Sequence, residues 1–184
     1  MSKLLFKHYW LSVYQTTRKF IYAQRRSINS TAALCYKKTK RGYQFLLRYQ
    51  PLPELKLIGT NKKANSHGLY PCCVTGSIEL GETPQQNVIK EIYEEFNLKI
   101  KSQNIKASSI NVSSTQMNEC VYTFVVDITN AIAVNKTCGD GSFFENVSEN
   151  HWVSQKQLRK ILISKHNPYL SSLGSAYLLF EYVV

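Results

Sequence analysis

The chain has 184 residues, of which 43% are hydrophobic and 19% are charged, with a formal net charge of +11. This composition is typical of one globular domain that buries a core and has room for an extension. No apolar run reaches the roughly 18 residues of a membrane-spanning helix. Five cysteines without a CxxC spacing predict small buried thiols, and they exclude a zinc site or a disulfide framework.

The N-terminal part of the sequence is basic and free of acidic residues. Residues 1–53 contain no Asp or Glu but carry eleven Lys and Arg residues. Three interpretations stay open: an organelle transit peptide, a surface for a polyanion, or a solvated face. We predict that residues 1–26 form a partly helical basic extension to a domain at 27–184. We expect a cytoplasmic protein, with mitochondrial targeting by this segment as the alternative.

The next segments predict strands around a long loop. The runs INSTAALCYKK and YQFLLRYQ flank the turn Thr39–Gly42 and predict a β-hairpin. Residues 51–68 contain two prolines and two glycines and predict a long loop, and such loops in compact domains are often functional. The run LYPCCVTG predicts a strand after this loop.

A helix with clear end signals follows at residues 84–96. Thr83 and Gln86 form a capping box around Pro84, which suits the first helical position. Asn97 tolerates the left-handed conformation that ends a helix. The apolar residues that repeat at helical spacing predict a buried face, and they are Val88, Ile89, Ile92 and Phe96.

The remaining elements complete a mixed order. Two β-prone runs precede a second long loop, and a capping box at Ser154 and Gln157 opens another helix. Strands, helix, strands and helices in this order predict an α+β fold, with an α/β/α sandwich around a mixed sheet. The predicted elements are strands at 106–114 and 119–128, a loop at 129–150, an extended segment at 151–154, and helices at 155–164 and 170–183.

Acidic residues concentrate around the first helix. Glu91, Glu94 and Glu95 share one helix face, where like charges destabilise a helix. Two of them also lie near the helix C-terminus, the unfavourable end for anions. A hard divalent cation held by carboxylates would explain the arrangement, and a solvated acidic face is the alternative. Gly76 and Gly81 bracket a tight loop just before the helix, where backbone can approach an ion closely.

The segment 76–98 resembles the Nudix box. Lys90 stands where the family usually has arginine, and Asn97 where it usually has glycine. Lysine offers one compact charge instead of two parallel hydrogen bonds, so we expect a less firmly oriented carboxylate and lower catalytic efficiency. The residues that carry the resemblance are Gly76, Glu82, Lys90, Glu91, Ile92, Glu94, Glu95, Asn97 and Leu98.

Short sequence segments on either side of the box extend the resemblance over residues 27–184. CCVTGSIELGET is similar to the subgroup that includes nucleoside triphosphate and dihydroneopterin triphosphate pyrophosphohydrolases. ENHWVSQKQL is similar to the element ahead of the family's C-terminal helix. The resemblance implies the Nudix fold and hydrolysis of a nucleoside diphosphate linked to a group X by metal-activated water. A nucleoside triphosphate, cleaved to monophosphate and pyrophosphate, is the favoured substrate.

The resemblance also implies a Mg²⁺ cofactor, which Mn²⁺ can replace, and a set of roles. Glu94 and Glu95 are metal ligands, and Glu91 is a ligand or the base for the attacking water, held by Lys90. Glu82 supports the metal cluster or binds it directly, and Gly76 contributes its carbonyl oxygen. Many family members add a later carboxylate, for which the candidates are Glu149, Glu145 and Asp140, with Glu149 favoured.

Other candidates come from position alone. Basic residues in or beside the long loop are candidates for phosphate contacts, and aromatic residues nearby are candidates for stacking a base; packing or surface roles are the alternative for each. Trp152 is expected in the core. The candidates are Arg48, Lys56, Lys62 and Lys63 for phosphate and Tyr49 and Tyr70 for the base.

Two classes of function stay open for the chain. The first is a hydrolase, for which ADP-ribose, dinucleoside polyphosphates, nucleotide sugars or an RNA cap are alternative substrates. The second is a Nudix-fold module that binds RNA or associates with the ribosome without catalysis. The basic N-terminus favours the second, and the intact carboxylate set favours the first. A homodimer is the expected assembly by resemblance.

Overall fold

A computed structural model describes residues 2–51, 68–135 and 146–184. The strands are β1 (Lys3–Lys7), β2 (Leu11–Gln15), β3 (Ile21–Arg25), β4 (Ser30–Thr39), β5 (Gly42–Pro51), β6 (Leu69–Cys72), β7 (Val74–Ser77), β8 (Leu98–Lys99), β9 (Ile105–Ser114), β10 (Met117–Asp127), β11 (Ile132–Ala133) and β12 (Glu149–Ser154). The helices are α1 (Pro84–Phe96), α2 (Gln155–Leu162) and α3 (Ser171–Val183).

The central strand of the main sheet is β4. It pairs in parallel with β10, while its first half pairs antiparallel with β7 and its second half antiparallel with β5. Residues 30–36 of this strand are all buried, as expected for a strand covered on both faces. The sheet is therefore mixed, and β4 brings β7 and β10 to its two sides.

Helices cover both faces of this sheet. On one face α1 packs through Val88, Ile92 and Phe96. On the other face α2 packs through Leu158 and α3 packs through residues that include Leu173. The predicted α/β/α sandwich of the α+β class is confirmed.

The N-terminal segment differs from its prediction. Residues 3–25 form an antiparallel meander of β1, β2 and β3, so the expected partly helical character was wrong. Alternating β-formers decide the outcome, and the rings of Tyr14 and Tyr22 stack across β2 and β3 at 5.5 Å. The meander joins the main sheet where β3 pairs in parallel with β10 at Ala23 and Met117.

Local signals in the sequence predicted the other elements well. The hairpin of β4 and β5, the capping box of α1, and the left-handed Asn97 are all present. The second capping box opens α2 at Ser154. Of the two predicted loops, residues 52–67 and 136–145 lie outside the described part of the chain, and 129–150 also holds β11 and the start of β12.

Two side-chain expectations had different outcomes. Trp152 is 43% exposed, with Lys37 Nζ 3.7 Å from its ring centroid, so the prediction of a core position was wrong. Cys35, Cys72 and Cys73 are free and buried, as predicted for small structural thiols. No helix in the described ranges is long and apolar enough to cross a membrane.

Candidate active site

Gly76 lies against the acidic face of α1. A Cβ atom at this position would overlap the carboxyl group of Glu91, so no larger residue fits without movement. Gly76 of β7 pairs with Thr31 of β4, which fixes the position of β7 in the sheet. Because glycine has no side chain, the carboxylate of Glu91 can lie directly against the backbone of β7.

Glu82 is held by its neighbours at the start of the helix. Asn87 Nδ2 donates to Glu82 Oε2 at 2.8 Å and to the Ser77 carbonyl at 3.0 Å. The backbone N–H of Glu79 donates to the same carboxylate, and Lys90 Nζ lies 3.5 Å from Glu82 Oε1. Burial acts to raise the pKa of Glu82, but these hydrogen bonds and the lysine charge outweigh it and hold the pKa below its ordinary value.

Lys90 therefore forms its ion pair with Glu82, whereas we expected it to hold Glu91. Burial acts to lower the pKa of Lys90, but Glu82 and the glutamates around it outweigh burial and raise that pKa. Asn87 is a residue of the candidate site that sequence reasoning missed. Its signal was an amide on the apolar face of α1, where it is fully buried.

Glu91 has a strongly raised pKa. Burial raises its pKa to about 7, and the nearby charge of Glu94 adds to the shift, while Lys90 opposes it. A carboxyl in this position holds its proton near neutral pH until a positive charge arrives. Glu91 is thus suited either to bind a cation or to take a proton.

Glu95 and Glu94 lie in different surroundings on the same helix face. Glu95 forms an ion pair with Arg48, whose side chain is almost fully buried on β5. Glu94 is exposed. Arg48, a candidate for phosphate contacts, therefore lies at the site but faces a carboxylate of α1.

The other predicted residues lie in several places. Glu149 begins β12 and accepts a hydrogen bond of 2.7 Å from His151, while Asn150 donates to the backbone carbonyl of Glu95 at 2.7 Å. Asn150 thus faces α1, whereas Glu149 and His151 alternate with it along β12 and lie with Tyr49 on the opposite face of the sheet. Tyr70 is 1% exposed and offers no ring face to a base, so it has the packing role. Five candidates lie outside the described residues, namely Lys56, Lys62, Lys63, Asp140 and Glu145.

A cavity of about 450 Å³ opens on the other side of β7. Thr75 and Ser77 alternate with Gly76 along the strand, so they point away from α1 and into this cavity. Gly76 also lines it, which makes this glycine the meeting point of the acidic face and the cavity. Residues from β3, β10 and the start of α3 complete the wall, including Arg25, Glu119 and Ser172.

The donor set of the acidic face suits a hard cation. It offers carboxylate and carbonyl oxygens, the ligands that Mg²⁺ prefers. Burial, with the charges of Glu94 and Glu95 added to it, raises the pKa of Glu91, and a bound cation would favour its ionised form. Within residues 2–51, 68–135 and 146–184, however, no three acidic, His or Cys side chains converge closely enough to hold an ion.

Comparison with solved structures identifies the fold. The chain is similar to a crystal structure of an ADP compounds hydrolase, with a TM-score of 0.61 over 99% of this chain and 91% of that chain. The fold is the Nudix fold. The two sequences are 11% identical, so the likeness extends to the fold alone. Compared by sequence, the chain matches no protein-family model and no curated protein.

Proposed function

We propose that this Nudix-fold chain hydrolyses a pyrophosphate bond in a nucleoside diphosphate linked to a group X. One observation carries the proposal: Glu91, in a helix with Nudix-box spacing, lies against Gly76, whose other side lines a ligand-sized cavity. The acidic face and the cavity would then hold the reacting phosphates and the nucleoside on the two sides of one strand.

The proposed metal ligands are Glu91, Glu94, Glu95 and the carbonyl oxygen of Gly76. A bound Mg²⁺ or Mn²⁺ would neutralise phosphate charge and lower the pKa of a bound water. In this proposal Glu91 either binds the cation or accepts the proton of the attacking water. Asn87 and Lys90 hold Glu82 in the orientation from which it supports the cluster.

Two considerations bear on the substrate. The sequence segments that flank the Nudix box favour a nucleoside triphosphate, whose cleavage would give a monophosphate and pyrophosphate. The structural neighbour is described as a hydrolase of ADP compounds, which favours a nucleoside diphosphate with a different X group. Both share the bond that we propose is cleaved.

A second candidate function is a nucleic-acid-binding module without catalysis. Exposed rings on the basic meander favour it, since aromatic and basic side chains together suit single-stranded nucleic acid. Phe6, Trp10 and Phe20 are 55%, 65% and 46% exposed. The carboxylate set of α1 favours the hydrolase, because a binder of anions gains nothing from it.

A substrate panel tests the proposed function. Nucleoside triphosphates, ADP-ribose, dinucleoside polyphosphates, nucleotide sugars and capped RNA are incubated with Mg²⁺, with Mn²⁺ or with a chelator, and the products are resolved. We expect metal-dependent release of a nucleoside monophosphate from at least one compound, and its loss in Glu94→Gln. If no compound is cleaved with either metal, or if Glu94→Gln matches the wild type, the proposed hydrolase function is wrong.

A further inference from the structure

Four strands bring a polar cluster to the wall of the cavity beside Gly76. Ala23 of β3 pairs in parallel with Met117 of β10, so Arg25 and Glu119, each two residues further on, lie side by side on the same face. Ser30 of β4 pairs with Ser77 of β7 on the neighbouring strands. The cluster of Arg25, Ser30, Ser77 and Glu119 is the Glu119 cluster.

Hydrogen bonds fix the Glu119 carboxylate. Oε1 accepts from Arg25 Nη1 at 2.9 Å and from Ser30 Oγ at 2.7 Å. The other end of the guanidinium donates from Nη2 to Ser77 Oγ at 2.9 Å. Arg25 therefore ties the N-terminal meander to both the carboxylate and the residue that follows Gly76.

The second carboxylate oxygen of Glu119 is different. No donor among the described residues hydrogen-bonds to Oε2, although the residue is only 8% exposed and lines the cavity. Oε2 is not among the enclosed side-chain oxygens of the described residues, so it opens to the cavity and can accept a hydrogen bond from a ligand that binds there. The register of β10 against β9 shifts between Met117 and Cys120, and such bulges re-aim side chains next to functional sites.

We propose that Glu119 is a specificity-determining residue whose Oε2 accepts a hydrogen bond from the nucleoside part of the substrate. This rests on the proposed function, which supplies the nucleotide. The donor is an N–H of the base, such as an exocyclic amino group, or a ribose O–H. Arg25 and Ser30 are positioning residues, because they act through the carboxylate. A cavity of about 450 Å³ accommodates a ligand of this size.

Equilibrium binding of nucleoside monophosphates tests the proposal without requiring turnover. Calorimetric titrations with Mg²⁺ compare AMP, GMP and CMP with the matched analogues that lack the amino group: purine riboside, inosine and pyrimidinone riboside monophosphates. The 2′-deoxy and 3′-deoxy nucleotides form the ribose arm. We expect removal of one donor to weaken wild-type binding about tenfold or more, the value of a hydrogen bond to a charged acceptor.

Glu119→Gln is the main variant. Its side-chain oxygen still accepts from Arg25 and Ser30, but an NH₂ group replaces Oε2, so the tenfold discrimination should fall to less than threefold. Ser113→Ala, which alters the same cavity without touching the Glu119 cluster, should keep wild-type discrimination. If Glu119→Gln does not fold, Arg25→Met is the second variant, because it removes the guanidinium that positions the Glu119 carboxylate. It should reduce discrimination while AMP, GMP or CMP still binds.

Three results would overturn the proposal. The first is a wild type that binds no nucleotide, and the second is a wild type that binds each nucleotide and its donor-free analogue equally. The third is that Glu119→Gln or Arg25→Met keeps wild-type discrimination or weakens the binding of all ligands equally. Turnover separates this proposal from the hydrolase. Discrimination without hydrolysis would support the role of Glu119 in nucleoside recognition and contradict the proposed hydrolase. Hydrolysis without discrimination would support the hydrolase and contradict the role of Glu119.

Discussion

The two sides of β7 at Gly76 place carboxylates in opposite electrostatic settings. On the α1 side, Glu91 lies among other glutamates, and burial with their charge raises its pKa to about 7. On the cavity side, Glu119 is neutralised by Arg25 at 2.9 Å. The first side has a surplus of negative charge that suits a cation, and the second has a balanced carboxylate that suits a hydrogen-bond donor. In the proposed function, Gly76 thus separates the site for metal and phosphate from the site for the nucleoside.

The largest expected effect comes from removing a carboxylate on the α1 side. Glu94→Gln should lower kcat about 10²- to 10³-fold, because the variant loses a proposed ligand of the cation that neutralises the reacting phosphates. The melting temperature should stay equal or rise, since repulsion with Glu91 falls. Steady-state kinetics and thermal unfolding measure the two effects. Glu79→Gln changes the same charge in the same segment at an exposed position, and it should keep near-normal kcat.

The pKa of Glu91 predicts how stability depends on pH without metal. Below pH 4.5 the carboxyl is protonated in both states and costs nothing. Between pH 4.5 and about 7 the unfolded chain gives up this proton while the folded state keeps it, so stability falls across this range and the loss is complete above about pH 7. This loss amounts to about 3 kcal/mol at pH 8. Glu91→Gln removes it, so with chelator present the variant should be more stable than wild type at pH 8 and equal at pH 4.

Chemical unfolding at the two pH values measures this difference. Added Mg²⁺ should reverse the order at pH 8, since the wild type retains the ligand that the variant lacks. An unfolding free energy that is the same for both proteins at pH 8 in chelator would show that Glu91 does not carry a buried charge in the metal-free fold.

Glu95→Gln should behave differently from Glu94→Gln in stability. Both variants should lose turnover, but Glu95 is the ion-pair partner of the buried Arg48. A neutral amide accepts from the guanidinium without balancing its charge, so the free energy of unfolding should fall by about 1–3 kcal/mol. Equal melting temperatures for the two variants would mean that Arg48 has another acceptor and that the pair contributes little.

The acidic face of α1 could be predicted from the sequence because its residues lie close together along the chain. Gly76, Glu82 and the helix glutamates lie at fixed spacings within residues 76–95, and capping signals set the helix register. The cavity side could not be read in this way, because Arg25 and Glu119 meet only through the parallel pairing of β3 and β10. Residues 1–26 were predicted to be a partly helical extension, so no sequence signal placed Arg25 near the residues of the Nudix box. Parallel pairing between distant strands leaves no short-range pattern in a sequence.

Lys90→Arg has the smallest expected effect and refines the contrast between the two carboxylate settings. Lys90 Nζ is 3.5 Å from Glu82 Oε1, while Asn87 and the Glu79 backbone already donate to Oε2. Arginine adds a planar set of donors on the side that lysine serves weakly, so kcat/KM should be unchanged or rise up to about threefold. Lys99→Arg, at an exposed position of β8, is the control for replacing an ammonium by a guanidinium group at unchanged charge, and it should leave kcat/KM unchanged. A loss of tenfold or more in Lys90→Arg would show that the compact ammonium is itself required beside Glu82, and that this site departs from the arginine-bearing box for a reason of fit.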